Sequence, residues 1–240
     1  MLSGFGNAQV KGEGAGVSFD DAQETYTARY THETVALAFA ITEEAIEDNL
    51  YDRLSARYTK ALARSMSNAK QVKAIEPLIN GLPSTATFKS GDGVALFSTS
   101  HTTVSGPNVA NTLATQADLN ETSLEQSMID IAKMTDERGL RIAARGLKMI
   151  IPSELQFTAE RLMKSQGRTG TADNDINAIV SMGMIPQGYR VNNYLTDSDA
   201  FYIITDVPNG MKMFTRAPLT TAMEGDFDTG NVRYKARERY

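Results

Sequence analysis

Cysteine is absent from the 240 residues. That excludes disulfides and thiolate chemistry and removes the commonest zinc ligand, so stability has to come from packing or from assembly. Histidine is nearly absent too. His32 and His101 each stand alone, and a two-histidine metal site would require both to meet in the fold beside a carboxylate. No run approaches the roughly eighteen apolar residues of a membrane-spanning helix. The opening MLSGFGNAQVKGEGAG has no apolar core of signal-peptide type, so neither secretion nor membrane insertion is expected, and a cytoplasmic origin is the default. An excess of basic residues is also missing. With 24 Lys and Arg against 29 Asp and Glu the net charge is −5, the wrong sign for gripping a nucleic-acid duplex over a broad face.

What the chain does have is 41% hydrophobic and 22% charged residues, enough to bury a core in one large domain or two small ones. Residues 1–18 are rich in Gly and Ser and read as an extended arm that needs a partner surface to become ordered. From Gln23 to Ile41 the pattern predicts two strands, Tyr26-Ala28-Tyr30 and Val35-Leu37-Phe39-Ile41, with the turn at Thr31 to Thr34. Such a ribbon on its own is marginal in water and needs a surface to cover it. Thr42 stands at an N-cap position, and Glu43 and Glu44 favour the first turn of a helix. From there the apolar period changes to about four through Ile46, Leu50, Leu54, Tyr58, Leu62 and Met66. No Pro intervenes before Pro77 and no Gly before Gly81, so one rod of about thirty residues, roughly 45 Å long, is predicted.

Ser84 to Gln116 is loop-rich and polar and forms the natural boundary between subdomains. Beyond it, Thr122-Ser123-Leu124-Glu125 reads as a capping box that starts a helix with Leu124, Met128, Ile131 and Ala132 on its apolar face. Leu147 to Ile151 reads as a strand. Pro152-Ser153-Glu154 opens a helix carrying Leu155, Ala159 and Leu162, with Gly167 past its end. Further strands are predicted at Tyr189 to Leu195, Phe201 to Ile204 and Met211 to Phe214, the last two joined by a Pro208-Asn209-Gly210 turn. The fold class is α+β.

Catalytic patterns are weak. Ser98, Ser100 and His101 lie close in sequence, but no nucleophile elbow surrounds them. Gly12, Gly14 and Gly16 lack the strand, helix and Lys that a phosphate loop requires. Asp173, Asp175 and Asn177 imitate half a calcium loop, yet Ala178 stands where Gly is needed and Met184 where a bidentate Glu is needed, so they read as a loop and helix cap. Asp197, Asp199 and Asp206 are each explained by turn chemistry. No catalytic residue, cofactor or metal is assigned. Arg138, Arg141, Arg145 and Lys148 form one loose basic cluster. Arg233, Lys235, Arg237 and Arg239 alternate on one face of a strand, which reads as a solvated or subunit-facing edge in preference to a phosphate track.

In its order of elements the sequence resembles the major capsid proteins of tailed bacteriophages with the Hong Kong 97 capsid fold. The residues that carry the resemblance are Leu147-Lys148-Met149-Ile150-Ile151-Pro152-Ser153-Glu154-Leu155, Gly170-Thr171-Ala172-Asp173-Asn174-Asp175-Ile176-Asn177 and the closing Gly230 to Tyr240. The resemblance implies an N-terminal arm over 1–18 and an extended hairpin loop over 19–42. It also implies a peripheral domain from 43–118 plus 225–240, with a long spine helix, and an axial domain over 119–224. Copies would join as hexamers and pentamers into an icosahedral shell, assembled in the host cytoplasm and enclosing double-stranded DNA without sequence-specific contact. Portal, scaffold or decoration proteins would be further partners, and no membrane is involved. Candidate inter-subunit contacts are Tyr26, Tyr30, His32, Val35, Leu37, Phe39, Arg233 and Arg237. Val17 to Thr42 contains no Lys, so the lysine-to-asparagine crosslinks of some members are not expected. The sequence reaches Tyr240 inside the returning strand pattern, where the family usually continues into further sheet. The residues alone also fit a cytoplasmic α+β enzyme acting on a small polar substrate through Ser98 to His101, or a tail or scaffold component of the same virion.

Overall fold

The alternation over Val35 to Ile41 is a strand in the computed structural model, which describes residues 3–27, 29–48, 54–82, 87–104, 106–168 and 175–240. This strand, β1, covers Thr34–Ile41. Thr42 caps the following helix as expected, its hydroxyl accepting from the Ala45 amide at 3.4 Å, but that helix, α1, is only Glu43–Glu47. Helix α2 then covers Leu54–Ile79, 26 residues or about 39 Å. The single predicted rod is therefore two helices, and Leu50 lies outside the described residues. The remaining elements are α3 (Glu121–Ala132), β2 (Gly146–Ile151), a 3-10 turn (Ser153–Leu155), α4 (Gln156–Lys164), α5 (Ala178–Ser181), β3 (Tyr189–Val191), β4 (Tyr202–Thr205), β5 (Ala217–Gly225) and β6 (Val232–Arg239).

The chain divides into two units. The larger contains Met1–Ala28 and Glu76–Gly210, and the smaller contains Arg29–Ile75 and Met211–Tyr240. This differs from the expected partition on both sides. Residues 76–118, expected with the long helix, belong to the larger unit, where the Tyr202 hydroxyl donates to Leu78 O at 2.9 Å and the Phe97 and Tyr202 rings meet at 5.5 Å. Residues 211–224, expected with the mixed domain, belong to the smaller unit because β5 pairs with β6.

In the smaller unit the sheet order is β1-β6-β5, antiparallel throughout. The predicted hairpin between Tyr26-Ala28-Tyr30 and β1 is not formed. Ala28 lies outside the described residues, Tyr26 and Tyr30 are not in a strand, and β1 finds its partner in β6 with Phe39 opposite Tyr234. The physical reason is side-chain cover: pairing with β6 lets Val35 and Phe39 pack on Leu62 and Met66 of α2 and on Ala236. This core is thin. Leu62 and Met66 are the large apolar side chains buried in this cluster, and Ile41 and Ile75 are also buried in the unit, each worth about 1.5–3 kcal/mol. A Lys70 to Glu238 ion pair closes it on one side.

The larger unit carries the main core. Its sheet runs β3-β2-β4, with β2 parallel to β3 and antiparallel to β4. Met149 and Ile151 of β2 are fully buried against Leu124 of α3 and Ala159 and Leu162 of α4. The face read for α3 is buried at Leu124, Met128 and Ile131, while Ala132 is exposed. The helix starts earlier than predicted: Asn120 is the cap, its side-chain Oδ1 accepting from Ser123 N at 2.8 Å while Ser123 Oγ accepts from Asn120 N at 3.0 Å. An Asn followed three residues later by Ser satisfies both amide groups, and Thr122 is left exposed. Asn177 caps α5 and donates from Nδ2 to Leu162 O at 2.8 Å, which fits the reading of a helix cap. Asp173 and the rest of 169–174 lie outside the described residues. The strand predicted at Met211 to Phe214 is absent, and β5, which was not predicted, begins three residues later.

Candidate functional site

Several of the most exposed apolar side chains, and a basic row, lie on extended backbone. In the larger unit, residues 3–27 contain no helix and no strand. They form an open loop closed where the Ser3 amide donates to Gln23 O at 2.8 Å and the Gln23 amide donates to Ser3 Oγ at 2.9 Å. Asp20 adds a second tie, accepting from the Gly6 amide at 2.7 Å and from the Arg138 guanidinium at 2.7 Å. Those same bonds hold its carboxyl below the ordinary carboxylate range, the Gly6 amide first and Arg138 second. Between the ties Val10 and Phe19 are 99% and 96% exposed, which is the condition of a segment waiting for cover.

The predicted contact residues divide into two groups. Tyr26 rests on its own unit, its hydroxyl 3.2 Å from Thr102 Oγ1. Tyr30 is mostly exposed and its ring stands edge-on to Phe214 at 4.9 Å. His32 is half-buried. Val35 and Phe39 face α2 and are partly buried inside the smaller unit, because alternate residues of β1 point to that helix. Of the β1 apolar row only Leu37 stays exposed, at 44%. Sequence reading missed the neighbouring exposed residues of β5, Leu219 and Met223, and Phe227 in the turn that follows. The alternation of Leu219, Thr221 and Met223 is the signal that marks this strand, and Pro218 at its start weakens it.

Arg233, Lys235, Arg237 and Arg239 do share one exposed face, as their spacing predicts. Their position differs from the prediction, since β6 is the central strand of the sheet and not an edge. Opposite them on β1 stand Ala40, Ala38, Ala36 and Thr34, and on β5 Glu224, Ala222 and Thr220 face the first three of the row. The row therefore rises from a floor of mostly small side chains. Arg233 is held by Asp226 in the β5–β6 turn. Lys235, Arg237 and Arg239 have no ion pair among the described residues.

The histidine region is a closed loop. His101 Nδ1 lies 3.0 Å from Asp92 Oδ2, and Asp92 also accepts from the amides of Val94 at 3.1 Å and Thr102 at 3.2 Å. Burial raises the Asp92 pKa, but the His101 bond and these amides outweigh it, so the carboxyl lies below its ordinary value. His101 Nε2 is buried with no partner among the described residues. Ser98 Oγ accepts from the Ser100 amide at 3.1 Å, and Ser100 Oγ accepts from Asn108 Nδ2 at 2.9 Å. Neither serine bonds to His101, so the arrangement ties loops together and forms no nucleophile–base pair.

One surface depression of about 630 Å³ lies beside α4 and β3, lined in part by Glu160, Lys164, Tyr189 and Arg190. Its polar groups satisfy one another: Glu160 accepts from Lys164 Nζ at 2.6 Å and from the Tyr189 hydroxyl at 2.7 Å. Lys164, and then Tyr189, hold the Glu160 carboxyl below its usual range. Among the described residues no group of His, Asp and Glu is arranged to hold a metal, and no helix is long and apolar enough to cross a membrane.

A family model described as phage capsid protein matches residues 25–240. Among solved structures, the chain is similar to one from the capsid of bacteriophage JBD30, which is decorated with minor capsid protein trimers. Identity is 14%, TM-score 0.55, and the likeness covers 82% of this chain and 84% of that one. It is also similar to a chain from Mycobacterium phage Che8, at 15% identity and TM-score 0.48, over 100% of this chain and 77% of that one. No curated protein sequence matches.

Proposed function

The chain belongs to the phage capsid protein family and is a virion structural component with an α+β capsid fold; from that premise we propose that it is the shell-forming subunit, joining as hexamers and pentamers into an icosahedral head around double-stranded DNA. The observation that carries the reading is the family match over 25–240, nine-tenths of the chain. The exposed surfaces give it a physical rationale. An arm with bare Val10 and Phe19 and the exposed Leu37, Leu219 and Met223 leave apolar surface in water, and neighbouring copies would cover it. In this reading the arm reaches across neighbours, and the smaller unit, in which β1 packs with β6 and α2, acts as the peripheral domain. The larger unit gathers around the symmetry axes as the axial domain. The working chemistry is self-association, and no catalytic group is assigned.

Negative-stain microscopy of purified protein at rising concentration tests this. Closed shells of uniform diameter support it, whereas rings or tubes would point to a tail component and solitary molecules at every concentration would contradict it.

A further inference from the structure

The basic face of β6 has an uncompensated counterpart in the same unit. Helix α1 and its C-cap carry Glu43, Glu44, Glu47 and Asp48, all exposed, and none has an ion pair among the described residues. One compact unit thus shows a row of cations at Lys235, Arg237 and Arg239 and an acidic turn, neither with an ion pair among the described residues; the Glu43 carboxyl rests against Gly230 of the β5–β6 turn.

The two patches match in pitch. Cations two residues apart on a strand stand about 6.8 Å from one another. Carboxylates four apart on a helix, as Glu43 is from Glu47 and Glu44 from Asp48, have Cβ atoms about 5–6 Å apart. The floor under the cations is Ala36, Ala38 and Ala222, with Thr34 and Thr220, so no bulky side chain keeps an approaching helix away. Ring assembly requires a heterologous contact, in which one patch of a subunit meets a different patch of the next. Two unlike patches of opposite sign on one subunit satisfy that requirement at equal stoichiometry.

We propose that the β6 basic face of one copy docks the acidic α1 turn of a neighbouring copy, Lys235, Arg237 and Arg239 against Glu43, Glu44, Glu47 and Asp48. The occupant is a second copy and not nucleic acid, because the chain as a whole is acidic, at −5, and a matching acidic partner lies in the same unit. The proposal rests on the shell-forming reading and deepens it. Arg233, already held by Asp226, takes no part in the docking.

The experiment uses the full chain with three changes: Lys235→Glu with Arg237→Glu, Glu44→Lys with Glu47→Lys, and the two pairs together. All four positions are exposed, so each variant should melt as the parent does by circular dichroism. Shell yield is read by sedimentation velocity and negative stain. Each pair alone should lower shell yield by about tenfold or more, and the combined variant should recover it by restoring complementarity with reversed signs. Unreduced yield in both single-pair variants would overturn the docking while leaving the shell-forming reading intact. Failure of the combined variant to recover would also overturn it. So would unchanged assembly accompanied by a loss of co-purifying nucleic acid in the β6 variant alone, since the face would then serve the genome. A parent chain that forms no particles under any condition would remove the shell-forming reading itself, and the docking with it.

Discussion

The Phe39 ring lies flat against the Tyr234 ring, centroids 5.0 Å apart and planes 14° apart, across a β1–β6 pair in which the two residues stand directly opposite. Tyr58 of α2 meets the same Phe39 ring edge-on at 5.6 Å. This three-ring contact joins sheet to helix within the smaller unit. Phe39→Ala should therefore destabilise that unit by about 2–3 kcal/mol, less than the roughly 3–5 kcal/mol of a fully buried aromatic because the ring is only partly buried. Leu37→Asp should leave the melting transition nearly unchanged and reduce assembly. Differential scanning calorimetry of both variants, beside particle yield, checks the contrast. An unchanged melt for Phe39→Ala would remove the ring contact from the fold's support.

A second prediction concerns Lys70 and Glu238. Glu238 is 6% exposed and its carboxylate is paired with Lys70. Removing the cation with Lys70→Met leaves a nearly buried charge without its partner, at a cost of about 2–4 kcal/mol after allowing for the partial exposure of Lys70. Lys70→Met combined with Glu238→Leu should recover most of the loss, because no buried charge remains. Chemical denaturation of the single and double variants measures both values.

The cap of α3 gives a test by contrast. Asn120→Ala should cost about 1 kcal/mol and Thr122→Ala close to nothing, since Asn120 makes the reciprocal bonds with Ser123 and Thr122 faces solvent. Equal effects at the two positions would return the cap to the residue that the sequence pattern first indicates.

Asp92 predicts an acid limit for its loop. Its folded pKa is lowered, so its contribution is fully present above the unfolded value and disappears as pH falls through the folded one, that is, below about pH 4. Asp92→Asn should lower stability at neutral pH and flatten the acid limb of the stability curve. Hydrogen exchange over residues 88–111 at pH 7 and pH 3 reads it, and parallel acid limbs in parent and variant would contradict the assignment.

How legible these features were depended on how local their causes are. The buried face of α3 at Leu124, Met128 and Ile131, the strand β2 and the alternation of β6 all follow from periodicity within one element, and each could be read. The pairing of β1 could not. Its partner lies some 200 residues away, as in Val35 opposite Glu238, and an alternating strand carries no label for which edge it will join. The nearer Tyr26-Ala28-Tyr30 was the economical choice, but it would have left Phe39 without Tyr234 and α2. Strand β5 was hidden by Pro218 and by its small residues Ala217, Thr220, Thr221 and Ala222, which are acceptable because it is an edge strand, where a missing donor can face outward. The same limit applied to the candidate contacts. Which of Val35, Leu37 and Phe39 is covered depends on where a helix lies over the sheet, and period alone assigns all three to one face.

The central claim is that segments exposed on one copy are covered by neighbours in the shell, and the absence of cysteine makes it measurable with a single thiol. Ser18→Cys places that thiol beside Phe19, in the exposed arm. The rate of maleimide labelling is compared between dissociated protein and assembled particles, with Thr122→Cys on the exposed surface of α3 as a second reporter. Strong protection of position 18 on assembly is the predicted result. Equal labelling of position 18 in both states, in particles seen to be closed, would contradict the account.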